Sequence, residues 1–162
     1  MLNNKLQVAV NLVKKGWKGS TLCCLCHCAE TIDHIFFKCH LAKMVWEIIK
    51  EIFQLDTYPK SWEDFCNTWL RGKGPFPTRM IISIFSGFAW ALWTSKNRMA
   101  INKMFPQAPT DIIYVALSLP QKWSTNLKEK DQEHIYKTQA SITSWLKAFK
   151  PNPVCLSDVV EI

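Results

Sequence analysis

The stretch CCLCHCAETIDHIFFKC, residues 23–39, holds five cysteines and two histidines. Metal ligands, halves of disulfides, or a reactive thiol with its base would each produce such a run. The chain has 162 residues, enough for a hydrophobic core, so it does not need the disulfides on which miniature secreted domains depend. Seven cysteines is an odd number, and their clustering fits a reducing compartment and a bound metal better than a disulfide framework.

The spacing within this run predicts a zinc site. Cys23 and Cys26 are separated by two residues, so a tight turn presents both thiolates to one ion. His34 and Cys39 follow and complete a tetrahedral set. Thiolates and a neutral imidazole favour Zn²⁺ over magnesium or calcium. Because four protein ligands leave no position for water, the predicted zinc is structural and not catalytic.

The assignment of ligands within the run stays open, because other cysteines lie beside the first pair. Cys24 or Cys28 could replace one member of that pair. Two cysteines separated by a single residue are a less usual bite for one ion, so Cys23 with Cys26 is the preferred assignment. The opposite interpretation is a cluster of thiols without a metal.

A resemblance to a known family is carried by the residues around this run. They are Gly16-Trp17, the cysteine pair, Glu30-Thr31, the His-x4-Cys spacing and Trp46. In this order they resemble the zinc-binding domain at the C-terminal end of plant LINE-type retrotransposon reverse transcriptases. A later Trp-x2-Trp-x2-Arg-Asn signature of that family is similar to Trp90, Trp93, Lys96 and Asn97, with Lys in place of Arg. The resemblance covers about residues 5–105 and implies a zinc-stabilised module that binds nucleic acid.

Catalysis is not expected of this chain. The sequence has no Tyr-x-Asp-Asp motif and no polymerase domain, and its adjacent carboxylates Glu63-Asp64 fit the first turn of a helix. We therefore expect a free-standing, non-catalytic zinc-binding module that binds RNA or DNA and takes no small-molecule substrate. The alternative is a domesticated protein that binds another protein, or itself, in a role unrelated to retrotransposition.

The remaining pattern predicts a mainly α fold, a helical domain with a small zinc-stapled knuckle or hairpin near the N-terminus. An N-terminal helix is expected to end at Gly16 and to carry an apolar stripe of Leu2, Leu6, Val10 and Val13. A cleaner stripe follows Cys39, so zinc would anchor the first turn of that helix. Residues 1–55 are expected to hold these parts, residues 56–150 a helical core continuous with them in a single domain, and residues 151–162 a tail.

The most apolar segment lies between Arg79 and Lys96, where sixteen residues carry no charge. A membrane span needs about 20 apolar residues, so we expect a buried central helix and no membrane span. Trp90 and Trp93 are expected in the core. A helix that opens at Pro109 and Asp111 is expected to end or kink at Pro120. The last helix, about residues 131–149, is expected to turn inward the side chains of Ile135, Ile142, Trp145 and Phe149.

Charge is unevenly distributed along the chain. The net charge is +7, and no acidic residue precedes Glu30. The basic residues of this acid-free segment, Lys5, Lys14, Lys15 and Lys18, are the candidates to follow a phosphate backbone. Trp17 either stacks on an unpaired base beside them or packs on the zinc lobe. Packing is the preferred prediction, because large aromatic side chains are mostly buried.

The expected location is intracellular and reducing, in the nucleus or the cytoplasm. The first twenty residues show no continuous apolar core and no small-residue cleavage site of a secretory signal. A mitochondrial location is the alternative, because the basic, acid-free N-terminus resembles a transit peptide.

Overall fold

The computed structural model describes residues 6–73, 78–108, 110–125 and 128–149. Six α-helices lie in these ranges: α1 (Ala9–Lys14), α2 (His40–Ile52), α3 (Trp62–Asp64), α4 (Thr78–Asn102), α5 (Asp111–Ser124) and α6 (Glu129–Ala148). Two π-helical segments accompany them, π1 (His34–Lys38) and π2 (Phe65–Lys73). The described ranges contain no β-strand, and an isolated antiparallel bridge joins Leu22 to Ala29. The prediction of a mainly α fold with a small N-terminal hairpin is therefore confirmed.

Helix α2 buries one face, as its sequence pattern predicts. Cys39 is its N-cap residue, so the helix begins directly at the end of the cysteine-rich run. Its buried side chains are Ala42, Val45, Trp46, Ile48 and Ile49. Lys43 and Glu47 lie on the exposed face. The helix thus connects the run at its first turn to the hydrophobic core along its length.

The centre of the core is aromatic. Phe65 and Phe85 lie with ring centroids 4.2 Å apart. Phe37 stacks on Trp46 at 5.9 Å and on Phe85 at 6.0 Å. These rings come from π1, α2, π2 and α4, so segments distant in sequence share one apolar centre in which each ring buries a large area.

Helices α4 and α5 approach closely where Gly87 meets Pro120. Because Pro120 has no N–H, the Ala116 carbonyl lacks its usual helical donor. A Cβ atom at Gly87 would lie 2.5 Å from the Ala116 oxygen and 2.9 Å from Pro120 Cδ. A glycine therefore lets the two backbones meet at this crossing. Helix α5 does not end at Pro120 but continues to Ser124.

The predicted N-terminal stripe is wrong in its detail. Helix α1 is only six residues long, and it buries Ala9 and Asn11. Val13 is 38% exposed. The first turn of this short helix donates hydrogen bonds to Glu30, and its last turn, with Val13, faces solvent.

Two aromatic side chains that were predicted to be inward are exposed. Trp90 is 51% exposed, because the buried stripe of α4 follows Phe85, Ala89 and Leu92 on another face. Phe149 is 41% exposed. It follows the last residue of α6 and stacks on Trp145 at 4.9 Å, outside the helical register that would turn it inward.

Within the described ranges, every helix is too short or too polar to cross a membrane. The predicted tail, residues 151–162, lies outside the described residues, as do Leu2, Lys5 and Pro109.

Candidate metal centre

The four side chains with metal-ligand spacing meet in space. The ligand atoms of Cys23, Cys26, His34 and Cys39 all lie within 4.8 Å of one another. The Sγ atoms of Cys23 and Cys39 are 3.9 Å apart, and Cys26 Sγ lies 3.2 Å from His34 Nε2. Two sulfurs bound at about 2.3 Å to a tetrahedral zinc lie about 3.8 Å apart. The cluster therefore has the size and the donor atoms that a zinc ion requires.

A tight hairpin presents the first two cysteines. The Cys23 N–H donates to the Cys28 carbonyl at 2.8 Å, and the His27 N–H donates to the Cys23 carbonyl at 3.0 Å. His27 closes the turn in the left-handed region, with a φ of 53°. The Leu25 N–H points back at Cys23 Sγ, 3.4 Å away. The turn thus aims backbone donors at a sulfur atom, which favours its thiolate form.

The π1 segment presents the other two candidate ligands, His34 and Cys39. Its defining hydrogen bond runs from the Cys39 N–H to the His34 carbonyl at 2.7 Å. A π-helical turn brings residues five apart onto one side, which matches the His-x4-Cys spacing. The His34 N–H donates to the Thr31 hydroxyl at 3.1 Å, so Thr31 fixes the start of this turn. We refer to residues 8–39, which contain the hairpin and π1, as the metal lobe.

The three cysteine sulfurs lie close together, so the negative charge of one thiolate opposes ionisation of the others. Burial raises the pKa of Cys26 to about 12, and the adjacent Cys23 and Cys39 sulfurs add to this shift. Burial likewise raises the pKa of Cys39. Burial also acts to raise the pKa of Cys23, but hydrogen bonds from the Leu25 and Cys26 backbone outweigh it and lower that pKa. A divalent cation would allow all three to be thiolates, so the donor set fits a zinc ion.

A buried ion pair that the sequence did not indicate lies beneath the metal lobe. Lys96, on α4, is 3% exposed, and Glu30 is 8% exposed. Lys96 Nζ donates to Glu30 Oε2 and lies 4.0 Å from Cys24 Sγ. Burial acts to lower the pKa of Lys96, but the hydrogen bond and charge of Glu30 raise it, so Lys96 stays protonated.

The lysine also affects a predicted ligand. Burial lowers the pKa of His34, and the charge of Lys96 lowers it further. A neutral imidazole is the form that binds metal. The one sequence signal for Lys96 was its place in the Trp-x2-Trp-x2-Lys-Asn segment, which gave no indication of its partner.

The two spare cysteines of the run lie outside the cluster of four. Cys24 is partly buried near Lys96, and Cys28 is exposed. The structure thus groups the preferred four residues and neither of the two alternatives.

The basic segment before the hairpin lies at the surface. Lys14, Lys15 and Lys18 are exposed, and Lys5 lies outside the described residues. Helix α1 ends in a Schellman turn at Gly16, whose φ is 91°, with the Trp17 N–H donating to the Leu12 carbonyl at 3.1 Å. The lysines on both sides of Gly16 therefore flank one exposed turn.

The packing predicted for Trp17 is wrong in part. Its side chain is 47% exposed. The ring lies over the Gly19 backbone, since a Cβ atom there would be 1.9 Å from Trp17 Cζ2. Gly19 thus supports one side of the ring, and about half of its surface is available to a partner.

Comparison with known proteins agrees with this site. Residues 1–46 match the family described as zinc-binding in reverse transcriptase. The matched segment contains all four clustered side chains and Trp46, so the resemblance to the zinc-binding domain of reverse transcriptases is confirmed there. Its continuation from residue 47 to 105, with the two-tryptophan segment, stays a prediction. No curated protein and no solved structure matches the chain.

Proposed function

We propose that the metal lobe is a structural zinc module that presents a basic edge to RNA or DNA. Cys23, Cys26, His34 and Cys39 would hold the ion, which would fix the hairpin and π1 relative to each other. The observation that carries the nucleic-acid half is the exposed, acid-free segment Lys14–Lys18 directly before the hairpin.

The proposed module is non-catalytic. Four protein donors close the coordination sphere of zinc, so no position remains for a reacting water. The module takes no small-molecule substrate and performs neither polymerisation nor nuclease cleavage. Because its three cysteine ligands must be reduced, it belongs in a reducing compartment such as the nucleus or the cytoplasm. Polymerase or nuclease activity that purifies with the chain and disappears on a point substitution within it would contradict this.

The basic edge combines lysines with an exposed aromatic ring, which are the residue types that bind single-stranded nucleic acid. Lys14, Lys15 and Lys18 would follow the phosphate backbone and release its counterions. The exposed half of the Trp17 ring would stack on one unpaired base. Stacking of this kind is tolerant of sequence, so we expect weak sequence preference and strong salt dependence.

The test measures binding of a labelled random-sequence single strand, RNA or DNA, across a range of salt concentrations. Lys14→Ala with Lys15→Ala should weaken binding of every sequence and lower the salt slope by about 0.7 for each phosphate that is no longer neutralised. The control is Lys130→Ala with Lys147→Ala, which removes the same charge from exposed positions on α6. Equal salt slopes for the two double variants, or no binding by wild type at low salt, would remove nucleic acid from the proposal.

A second candidate function is binding of a protein partner or of a second copy. It is favoured by apolar side chains exposed near the end of α4 and after it, where Ile101 is 76%, Met104 62% and Phe105 58% exposed. Tyr114 and Trp123, from the region after Pro106, are also exposed. Exposed apolar surface of this kind often marks an interaction site. This candidate predicts association that tolerates salt, measured by light scattering in dilute and concentrated salt.

A further inference from the structure

Lys96 lies where a lysine is rarely found. It belongs to the buried stripe of α4 that also contains Phe85, Ala89 and Leu92, each at most 8% exposed. Lysines are almost never fully buried unless they are paired. An apolar residue of similar volume is often as stabilising as a buried ion pair. Stabilisation of the hydrophobic core therefore does not explain why a charged residue stands at this position. The explanation has to come from its ion-pair partner.

That partner, Glu30, is fixed on every side. Its Oε1 accepts from the Ala9 N–H at 3.2 Å, and its Oε2 accepts from Lys96. Its backbone N–H donates to the Thr21 carbonyl at 2.8 Å, and its own carbonyl accepts from the Val10 N–H at 3.4 Å. Since Val8 gives α1 no side-chain cap, the Glu30 carboxylate acts as a cap from a distance. Glu30 thus joins α1, the hairpin and α4.

The same residue stands next to the turn that holds a metal ligand. Thr31 follows Glu30 directly, and its hydroxyl accepts from the His34 N–H at 3.1 Å. Lys96 Nζ reaches within 4.0 Å of Cys24 Sγ, which adjoins Cys23. A displacement of the ion pair would therefore move the hairpin and the start of π1 together.

Helix α4 contacts the metal lobe at two positions along its length. Its Phe85 contacts Phe36 and Phe37 of π1, with ring centroids 6.2 Å and 6.0 Å apart. Lys96 meets Glu30 about three helical turns further along. Two separate contacts along one helix constrain both the position and the rotation of the lobe relative to α4.

We propose that Glu30 and Lys96 form a positioning pair that couples metal binding in the lobe to the folding of α4. The inference rests on the zinc site proposed above. It makes α4 part of the metal site, because α4 holds the lobe in its ligand-competent arrangement. In return, bound metal keeps Glu30 in place over Lys96 and protects the second half of α4.

The test measures zinc affinity by competition with a chromogenic chelator. Lys96→Met keeps the approximate length of the side chain and removes its charge, so we expect affinity to fall about 10–100-fold, as for other residues that support metal ligands. The matched control is Lys137→Met, which breaks an exposed ion pair with Glu133 on α6, 2.7 Å between charged atoms. The control should show the same zinc affinity as wild type.

The outcomes separate the two proposals. If wild type binds one zinc and Lys96→Met binds it with unchanged affinity, the coupling is wrong and the zinc site stands. If wild type binds no zinc, the zinc site itself is wrong and the coupling fails with it.

A second measurement on wild type applies even if Lys96→Met does not fold. Hydrogen exchange is followed with zinc and after chelation. We expect chelation to lower protection both in α1 and in residues 92–99 of α4. Reduced protection in α1 with unchanged protection in residues 92–99 would overturn the coupling.

Discussion

The metal lobe and the helix pair α4–α5 belong to one fold but are held together differently. The lobe contains short helices, a left-handed residue at His27 and a π-helical turn, and its shape depends on single hydrogen bonds and on four clustered side chains that could hold a metal ion. The pair α4–α5 consists of longer helices that bury many apolar side chains, although Pro120 lies inside α5. Removal of a single ligand or hydrogen bond should disrupt the lobe, whereas the helix pair distributes its stability over many contacts.

The largest effect should follow removal of a proposed ligand. Structural zinc in finger peptides contributes about 10–16 kcal/mol of apparent binding at neutral pH, so Cys26→Ser should lose zinc and unfold the lobe while α5 and α6 remain largely helical. Zinc content by elemental analysis and circular dichroism measure the two effects. Cys28→Ser, at an exposed cysteine of the same hairpin, is the control and should keep its zinc. Full zinc in Cys26→Ser would refute the ligand assignment.

The next effect tests the junction between the metal lobe and helix α2, which packs between the lobe and the rest of the core. Trp46 on α2 donates from Nε1 to the Phe36 carbonyl of π1 at 2.8 Å in a buried setting. Trp46→Phe keeps an aromatic ring but leaves that carbonyl without its donor, which should lower the free energy of unfolding by about 1–3 kcal/mol. Denaturant unfolding measures the change. Trp123→Phe, at an exposed position, should leave stability almost unchanged. Equal losses in both variants would argue against a special role for this hydrogen bond.

A smaller effect is expected at the tightest point of the helix pair. Gly87→Ala places a methyl group 2.5 Å from the Ala116 oxygen, so the helices must separate. Overpacking of this kind costs about 1–3 kcal/mol, from which the better helix propensity of alanine subtracts up to about 1 kcal/mol. Thermal unfolding should show the net loss of stability, and the zinc content should be unchanged. Arg98→Ala, at an exposed position of the same helix, is the comparison. A more stable Gly87→Ala would show that the crossing has room for a side chain.

The smallest effect concerns thiol chemistry outside the lobe. Burial raises the pKa of the Cys66 thiol, so near pH 8 it has less reactive thiolate than an ordinary cysteine. We expect iodoacetamide to label exposed Cys28 first and Cys66 later. The difference between the two labelling rates should decrease as the pH rises, because a larger fraction of Cys66 is then ionised. Peptide mass spectrometry measures both rates, and early labelling of Cys66 would contradict its sheltered position.

The sequence predicted the parts of the molecule that depend on a periodic apolar pattern or on a fixed spacing between residues. The apolar stripe of α2 gave its helix and its buried face, and the Cys-x2-Cys and His-x4-Cys spacings gave four residues that the structure brings together. Both signals are local, because a helix repeats every few residues and the four candidate donors of this chain all lie within residues 23–39. The π-helical form of residues 34–38 was not predicted, since it differs from an α-helix only in its hydrogen-bond pattern.

What escaped prediction depends on distant partners. Lys96 ends an uncharged segment, as a solvated lysine would, and only the position of Glu30 in space shows that it is buried. Trp90 lies in an apolar segment whose pattern predicts burial throughout, but α4 leaves it half exposed. Such outcomes are set by tertiary contacts that no local pattern records.

The distance along the chain between Glu30 and Lys96 has a consequence for synthesis. Glu30 leaves the ribosome 66 residues before Lys96. At a translation rate of about 5–20 residues per second, the lobe waits roughly 3–13 s for its lysine. During that interval the Glu30 carboxylate can cap α1 but has no Lys96 ammonium group to pair with. Water therefore has to solvate the unpaired carboxylate oxygen of the nascent lobe. Docking onto α4 is therefore a late step, and a pause between the two codons would lengthen the life of the undocked lobe.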